Sequence, residues 1–336
     1  MTIRILYIMR SPGPSPSIER VFRQIGKCLS SDEFEVHFQE LPYPTTSVNL
    51  LLNLLLFRPQ RADIYHVTGD VNYISLRLPR SRTVLTIHDL IFLHVRSGIR
   101  RYALKKLLLT WPLKRLQYVT AISAATKSEI VADAGPAGDK VRVIENPLVD
   151  GFDAEPRRRF DPGEPIILHI GTAPNKNLDR LVDALTGLHC RLRVIGELNG
   201  PQREHLTRSG IRFSATAGLS QEQMADEYRR CDILSFCTTY EGFGLPVIEA
   251  QAMMKPVLAS NIEPMASIAG GGALLVDPHS PSAIRDGMVR LIEDEALRNS
   301  LVEKGSQNIS RFRATAIAEQ YAACYRTMAA EGSARS

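Results

Sequence analysis

The sequence predicts an α/β fold in which two parallel sheets lie in separate domains. Short apolar runs alternate with amphipathic helical segments along the whole chain, a pattern typical of parallel strands covered by helices. At 336 residues the chain is long enough for two such domains. A stretch rich in proline, glycine and charge, 150–165, separates two alternating halves and is the predicted interdomain linker.

The first half opens with a predicted strand, Ile3 to Met9, and a helix, Ile18 to Leu29, with one apolar face. The loop between them, 10–17, is rich in proline and serine. Ser123 is a good N-cap for a helix at 124–132. The remaining strands of this half are expected at 34–38, 64–70, 84–90, 118–122 and 141–147.

No acidic residue occurs from Leu90 to Ser128, although basic and apolar residues alternate there, and Pro112 is expected to kink or break the helix. Two interpretations stay open. The segment from Arg96 to Arg115 is either a core helix with a solvated basic face or an amphipathic element on an anionic membrane. Nucleic acid is not an expected partner, because no recognisable nucleic-acid module accompanies the basic residues.

The second half opens with a predicted strand, Ile166 to Gly171, followed by Lys176 and Asn177 at the start of a helix. Free backbone amides beside a lysine suit a diphosphate, although a lone loop lysine is more often simply exposed. Further strands are expected at 192–196, 211–215, 232–237, 256–260 and 273–278. Helices are expected at 221–230, 284–303 and 314–328.

The most informative stretch runs from Thr238 to Ala250, after the strand at 232–237. It combines a loop with two glycines and a helix start at Pro246, where the missing N–H costs nothing. Unpaired amides at such a helix start bind anions and hydroxyl-rich ligands. Glu241 and Glu249 bracket the loop. A glycine turn before an ordinary helix is the simpler interpretation of a lone Gly-x-Gly.

The full string Glu-Gly-Phe-Gly-Leu-Pro-x-x-Glu-Ala is more restrictive, and it resembles the Glu-x7-Glu signature of the family-4 retaining glycosyltransferases (group 1). The resemblance implies a GT-B fold, with two Rossmann-like domains facing a cleft. It places an acceptor-side domain at 1–155 and a nucleotide-sugar domain at 156–312. It also implies that a helix at 313–330 crosses back to the first domain.

The resemblance assigns roles to individual residues. Glu241, His88 and Lys176 are the implied catalytic residues, and His88 ends a Thr-Ile-His-Asp-Leu strand, where a structural histidine is equally compatible with its position. Glu249 is implied to bind the ribose. His66 and Asp70 are weaker candidates for the acceptor side. The implied donor-site set is Gly171, Thr172, Lys176, Glu241, Gly242, Phe243, Gly244, Leu245 and Glu249.

By this resemblance the protein transfers a hexose from a GDP- or UDP-linked sugar, with retention, to a glycan or lipid-linked acceptor. Synthesis of a cell-surface polysaccharide such as lipopolysaccharide is the expected setting, and a mannosyltransferase is one expectation. No cofactor or metal is expected, because no Asp-x-Asp or His/Cys cluster follows a strand. The alternatives are a non-catalytic nucleotide-sugar-binding or assembly protein of the same fold and a sugar-nucleotide epimerase.

Composition gives the expected compartment. The net charge is +5, and none of the five cysteines forms a Cys-x-x-Cys pair, as suits a reducing cytosol. The first residues read as a strand rather than a signal peptide. The longest apolar run, Val48 to Phe57, is too short to span a bilayer. We therefore expect a cytoplasmic protein, peripheral on the membrane if the basic segment binds lipid.

Overall fold

The computed structural model describes residues 2–11, 13, 17–29, 31–44, 49–153 and 160–333, which form two compact units. The first unit comprises Met1–Val149 and Arg313–Ser336, and the second comprises Asp150–Phe312. Both are Rossmann-like α/β units, so the predicted fold class is confirmed. The predicted boundary between 155 and 156, Val48 and part of the loop at 10–17 lie outside the described residues.

The first unit contains a six-stranded parallel sheet in the order β2-β1-β3-β4-β5-β6. Residues 5–9 of the first strand are all buried, because helices cover both faces of the sheet. The strands are β1 Ile3–Met9, β2 Phe34–Glu40, β3 Ile64–Val67, β4 Thr83–Ile87, β5 Tyr118–Ala121 and β6 Arg142–Val143.

Ser123 caps a helix of the first unit by accepting a hydrogen bond from the Thr126 amide, as predicted. The helices are α1 Ser17–Leu29, α2 Asn49–Leu56, α3 Ile91–His94, α4 Gly98–Lys105, α5 Trp111–Arg115, α6 Ala124–Ala134 and, at the end of the chain, α14 Ala314–Ser333. A 3₁₀ segment, Asn72–Arg77, follows β3.

Pro112 does not break its helix, so this part of the prediction is wrong. Helical structure continues from Gly98 to Arg115 through a π-helical turn, Lys106–Thr110. Pro112 has no N–H with which to bond the carbonyl of Leu108, four residues earlier. The buried side chain of Asn72 donates to that carbonyl at 2.9 Å instead. A polar residue from another segment therefore satisfies the group that proline leaves unpaired.

The final helix, α14, packs on the first unit through a buried network of hydroxyls and an imidazole. Tyr325 Oη lies 2.6 Å from Nδ1 of His66 and 3.1 Å from the hydroxyl of Tyr7. Nε2 of His66 lies 2.7 Å from Oγ1 of Thr86. His66 is fully buried in this network, so its suggested place on the acceptor side is wrong.

The second unit contains another six-stranded parallel sheet, in the order β12-β11-β10-β7-β8-β9. Its strands are β7 Ile166–Ile170, β8 Arg191–Ile195, β9 Arg212–Thr216, β10 Ile233–Phe236, β11 Val257–Ser260 and β12 Leu274–Val276. Its helices are α7 Leu178–Leu185, α8 Gly200–Ser209, α9 Gln221–Arg230, α10 Leu245–Ala252, α11 Met265–Ala269, α12 Pro281–Glu293 and α13 Glu295–Asn308.

Strand order in the second unit reverses between β7 and β10. The chain proceeds from β7 to β8 and β9 on one side, then returns to β10 and proceeds outward on the other. Loops leave the carboxyl ends of β7 and β10 in opposite directions, which opens a crevice where α/β proteins bind ligands. The stretches 171–177 and 237–244 are these two loops.

Replacing Tyr325 by phenylalanine tests the buried network. We expect this variant to lose about 1–3 kcal/mol of unfolding free energy, because it leaves buried hydrogen-bonding groups of His66 and Tyr7 without a partner. Urea denaturation followed by circular dichroism measures the change. Tyr102→Phe is the matched control, since that tyrosine is exposed, and equal stability of both variants would contradict the role given to the network.

Candidate functional site

The two loops at the switch point of the second unit bring Lys176 and Glu241 into contact. Nζ of Lys176 donates to Oε1 of Glu241 at 2.6 Å, and the two side chains are only 22% and 15% exposed. The same ammonium lies 5.0 Å from the ring centroid of Phe236, at the end of β10. Partial burial strengthens both the ion pair and the cation–π contact. Two of the three predicted catalytic residues are thus adjacent.

Gly171 is packed beneath this pair. Its φ is +94°, and a Cβ built on it would lie 2.7 Å from Cγ of Lys176. Any other residue would therefore push the lysine stem away from the loop and strain the backbone. The glycine thus fixes the path of the lysine side chain toward Glu241.

Two asparagines that sequence analysis did not assign hold the lysine turn against the glycine loop. Nδ2 of Asn175 donates to the carbonyl of Tyr240 at 2.9 Å, and the Thr239 amide donates to the carbonyl of Asn175 at 2.8 Å. Asn177 has φ +65° and donates to the carbonyls of Cys237 and Pro278 at 2.8 and 2.7 Å. A signal for Asn177 is present in the sequence, since asparagine tolerates the left-handed region better than most residues.

The glycine loop ends at Gly244, which precedes α10. Its φ is +116°, and a Cβ there would lie 2.5 Å from Cε of Met265. Leu245 and Pro246 form the first turn of α10 behind it. Proline has no amide hydrogen, so the amides that this helix start can offer to a ligand come from its neighbours in the first turn. This local geometry suits an anion.

The side chain of Phe243 lies in the apolar core. Its side chain is buried and stacks edge-on against Phe312, with 5.8 Å between the ring centroids. The ring therefore anchors the glycine loop to the apolar core. The donor contact of Phe243 stays a prediction, and with the ring buried it would involve the backbone of this residue.

Glu249, in α10, is bonded by a residue that sequence analysis missed. The hydroxyl of Tyr228, on α9, donates to Oε2 of Glu249 at 2.7 Å. Tyr228 is fully buried, and burial together with the adjacent carboxylate raises its pKa well above 10. The phenol is therefore a permanent donor that fixes the orientation of the Glu249 carboxylate. Only the three-dimensional structure identifies this pair, since nothing in the local sequence marks Tyr228.

Thr172 uses its polar groups within the protein. Its hydroxyl donates to the carbonyl of Glu197 at 2.8 Å, and its own carbonyl accepts from Nε2 of Gln202 at 2.8 Å. A Cβ on Gly196 would lie 2.8 Å from Cγ2 of Thr172, so this loop also depends on a close glycine contact. Thr172 therefore joins the loops that follow β7 and β8.

His88 lies at the carboxyl edge of the sheet in the first unit, directly after β4. Its Nε2 lies 2.6 Å from the carbonyl of Thr68, so that nitrogen carries the hydrogen and donates it. Burial lowers the pKa of His88 to about 4. The ring is consequently neutral near pH 7, and Nδ1 holds a lone pair that accepts a hydrogen bond, for example from a sugar hydroxyl. The catalytic role of His88 stays a prediction.

A charged cluster lies beside His88 at the switch point of the first unit, where strand order reverses between β1 and β3. Nε of Arg10 donates to Oε1 of Glu19 at 2.7 Å, and its Nη1 lies 3.4 Å from Oδ2 of Asp70. Burial and the nearby Asp70 raise the pKa of Asp89. Sequence analysis missed Arg10 and Glu19, although an arginine ending a first strand is a usable signal.

Metal binding has no support from side-chain clustering. Within the described ranges, no three His, Cys, Asp or Glu side chains come together as a metal site would require. Metal independence stays a prediction.

Two family models match the chain, one in each half. The model described as "Glycosyl transferases group 1" matches residues 152–308. The model described as "Glycosyltransferase Family 4" matches residues 33–150. The first match contains the loops of the second switch point, and the second contains His88.

Two curated relatives share this similarity. An uncharacterized glycosyltransferase of Methanocaldococcus jannaschii is 27% identical over 151 residues, 43% of this chain and 43% of that protein. The O-antigen chain mannosyltransferase B of Escherichia coli is 28% identical over 281 residues, 74% of this chain and 70% of that protein. The chain thus spans less than half of the first relative.

Solved structures with the same fold cover nearly the whole chain. Sucrose-phosphate synthase from Thermosynechococcus elongatus has a TM-score of 0.80 at 18% identity, covering 98% of this chain and all of that one. HepE of Anabaena, in complex with UDP-glucose, has a TM-score of 0.73 at 17% identity, covering 97% of this chain and all of that one. At these identities the likeness shows the fold.

Buried histidines should make stability depend on pH. Burial lowers the pKa of His66 to about 3 and those of His88 and His169 to about 4, from an ordinary value of 6.5. Between pH 6.5 and 4 the unfolded chain binds protons that the folded chain does not, so stability falls as pH falls. Each imidazole should cost about 1.4 kcal/mol of unfolding free energy per pH unit in this window.

Urea unfolding from pH 8 to pH 4 measures this slope. We expect His169→Asn to reduce the slope by the contribution of one bound proton, about 1.4 kcal/mol per pH unit. His279→Asn makes the same substitution at an exposed position and provides the control. Parallel slopes for all three proteins would contradict the pKa given to His169.

Proposed function

This chain belongs to the group 1 glycosyltransferases, with a first half of the family-4 type, and from that membership we propose that it is a retaining hexosyltransferase. It takes a hexose from a nucleoside diphosphate sugar and transfers it, in the cytoplasm, to a hydroxyl of a glycan or lipid-linked acceptor. The observation that carries the proposal is the contact between Lys176 and Glu241 at the switch point of the second unit.

The pair of Lys176 and Glu241 suits a diphosphate next to a sugar. An ammonium group has three donors, and one of them is used by Glu241. The others can reach phosphate oxygens, while the start of α10, behind Gly244, supplies further backbone donors. The carboxylate of Glu241 accepts hydrogen bonds, as sugar hydroxyls require. Charge stabilisation is thus fixed in place before the diphosphate leaves.

Two comparisons support the kind of donor. HepE of Anabaena, which has the same fold, is described in complex with UDP-glucose. The Escherichia coli relative is a mannosyltransferase of an O-antigen chain. We propose a nucleoside diphosphate hexose, with mannose as the first candidate and either GDP or UDP as the carrier, used in cell-surface polysaccharide synthesis.

A front-face substitution accounts for retention without a carboxylate nucleophile. The acceptor oxygen approaches the anomeric carbon on the face from which the diphosphate departs. The bond from carbon to phosphate oxygen breaks, and its electron pair goes to the diphosphate. The acceptor hydroxyl gives its proton to that leaving oxygen as its own bond to carbon forms. Lys176 and the backbone donors at the start of α10 stabilise the charge that develops on the diphosphate.

The donor should reveal itself by stabilising the protein. Thermal unfolding is measured with UDP-, GDP- and ADP-sugars, since only a bound ligand raises the melting temperature. We expect one carrier class to do so, and NMR of the product should show the same anomeric configuration as the donor. Binding without any transfer would instead indicate a non-catalytic nucleotide-sugar protein, and an inverted product would contradict the retaining mechanism.

Separate Lys176→Ala and Glu241→Gln variants test the site. We expect each to lower kcat/KM by about 10²–10³-fold, because each removes one fixed electrostatic partner of the reacting group. Release of nucleoside diphosphate in the presence of acceptor is the measurement. Glu303 and Lys304 are adjacent exposed residues of α13, and Glu303→Gln and Lys304→Ala provide matched controls. Near-normal transfer in both site variants would disprove the assignment.

Tyr228→Phe tests the proposed ribose role of Glu249 through its positioning residue. We expect KM for the donor to rise about tenfold with kcat largely kept, because the lost hydrogen bond orients a carboxylate that binds substrate and transition state alike. Steady-state kinetics at varied donor concentration measure KM and kcat separately. A loss confined to kcat, or unchanged kinetics in a folded variant, would argue against a ribose contact at Glu249.

A further inference from the structure

Large exposed hydrophobic side chains occur in only two segments of the described residues, and both belong to the first unit. Leu51 is 60% exposed, Ile99 is 89% exposed and Trp111 is 51% exposed. The full set is Leu51, Leu52, Leu55, Leu56, Val95, Ile99, Tyr102 and Trp111. A soluble surface does not need such a concentration of apolar groups, and exposed apolar patches of this kind mark interaction sites.

The helix α2 exposes four leucines, at 51, 52, 55 and 56, and buries a polar residue, while Leu50 and Leu54 pack partly buried against the core. Asn53 is completely buried, with Nδ2 donating to the carbonyl of Tyr43 at 2.9 Å and Oδ1 accepting from the Tyr43 amide at 3.1 Å. The same Nδ2 lies 3.1 Å from the hydroxyl of Tyr73. Ordinary surface helices keep most of their apolar residues inward. The outer leucines are therefore not needed to attach this helix.

The two apolar segments are neighbours on one side of the unit. The 3₁₀ segment Asn72–Arg77 bonds to both, since Arg77 donates to the carbonyl of Leu54 and Asn72 donates to the carbonyl of Leu108. Leu50 and Leu54 on one segment, and two leucines on the other, pack against the same core. Both segments thus border the same 3₁₀ segment and cover the same core, and we treat their outward side chains as one surface. We call it the leucine–arginine face, comprising residues 51–56 and 95–114.

Charge on the leucine–arginine face has one sign. Arg96, Arg100 and Lys114 are exposed on it, and the chain has no acidic residue from Leu90 to Ser128. Two further cations, Arg101 and Lys105, approach Asp133 at 3.7 and 2.6 Å. The exposed apolar groups thus lie among cations that the segment itself does not neutralise. Interleaved apolar and basic side chains fit a layer of anionic lipid headgroups over acyl chains.

We propose that the leucine–arginine face docks on a bilayer that contains anionic lipids. The leucines of α2 and Trp111 enter the boundary between headgroups and acyl chains, while Arg96 and Arg100 contact lipid phosphates. In the part of the chain that the structure describes, no helix has both the length and the hydropathy to cross a bilayer. The helices therefore lie along the surface rather than through it.

The charge of the leucine–arginine face favours a bilayer over a second copy of the chain as the partner that covers it. Two copies meeting through this face would bring Arg96 and Arg100 of each toward cations of the other, with no acidic residue of the segment to balance them. Like charges facing each other across an interface oppose association. An anionic bilayer offers the complementary sign over a wide area.

Vesicle flotation of the full chain tests the proposal. We expect the protein to float with phosphatidylcholine vesicles containing phosphatidylglycerol and much less with phosphatidylcholine alone. Arg96→Gln with Arg100→Gln should weaken binding on the order of 30-fold, as expected for two cations at an anionic surface. Leu51→Gln with Leu55→Gln should weaken it by about tenfold or more, because two apolar side chains no longer enter the bilayer.

Matched variants keep the test specific. Leu51→Met with Leu55→Met retains apolar character and should bind as the parent does. Arg203→Gln with Arg208→Gln removes two exposed cations from α8 in the second unit and should also bind normally. Thermal melts should be alike for all variants, since the substituted side chains are exposed. Binding is measured without donor or acceptor, so failure here leaves the proposed transfer reaction untouched.

Three results would overturn the proposal. The parent protein could fail to float with anionic vesicles, or the leucine and arginine variants could float as well as the parent does. Alternatively, sedimentation velocity could show a dimer that Leu51→Gln with Leu55→Gln dissociates, without any lipid binding. That last result would assign the face to a second copy.

Discussion

The ion pair between Lys176 and Glu241 depends on the pairing of β7 with β10. The two residues are 65 positions apart in the chain, yet their atoms lie 2.6 Å apart. They meet because Ile167 and Ile233 occupy the same level of the sheet, so the two strands end side by side. The apolar core that fixes this pairing thereby fixes the charge distribution above it. The geometry of the site consequently depends on the same strand pairing that stabilises the sheet.

Much of the fold could be predicted from the sequence, because strand and helix periodicity depends on local burial. Failures came where a distant residue decides the outcome. Pro112 does not end its helix because Asn72, far away in sequence, satisfies the carbonyl of Leu108. His66 resembles a site residue in sequence, but two tyrosines of the first and last elements surround it in the core. Such long-range polar contacts leave no periodic signal.

The candidate site likewise contains residues that local motifs predict and residues that only the structure shows. Glu241 and Lys176 could be predicted because their motifs are local, and the structure brings them into contact. Asn175 acts through backbone carbonyls of a loop that only folding brings near, and Tyr228 acts through Glu249. Phe243 lies within the recognised motif, yet its ring serves the core. Motifs therefore identify which residues can contact a ligand, and the structure shows which of their atoms the protein already uses itself.

Buried asparagines connect the architecture of the first unit to its unusual surface. Asn53 attaches α2 through hydrogen bonds, and Asn72 attaches the helix that contains Pro112 in the same manner. Each bond adds a buried and satisfied polar group to the apolar contacts of its helix, which Leu54 makes in α2 and Leu113 makes in the other helix. Leu51 and Leu55 stay 60% and 56% exposed to water. An apolar layer over these outer side chains removes that area from water, which is favourable, and this is the physical argument for a bilayer.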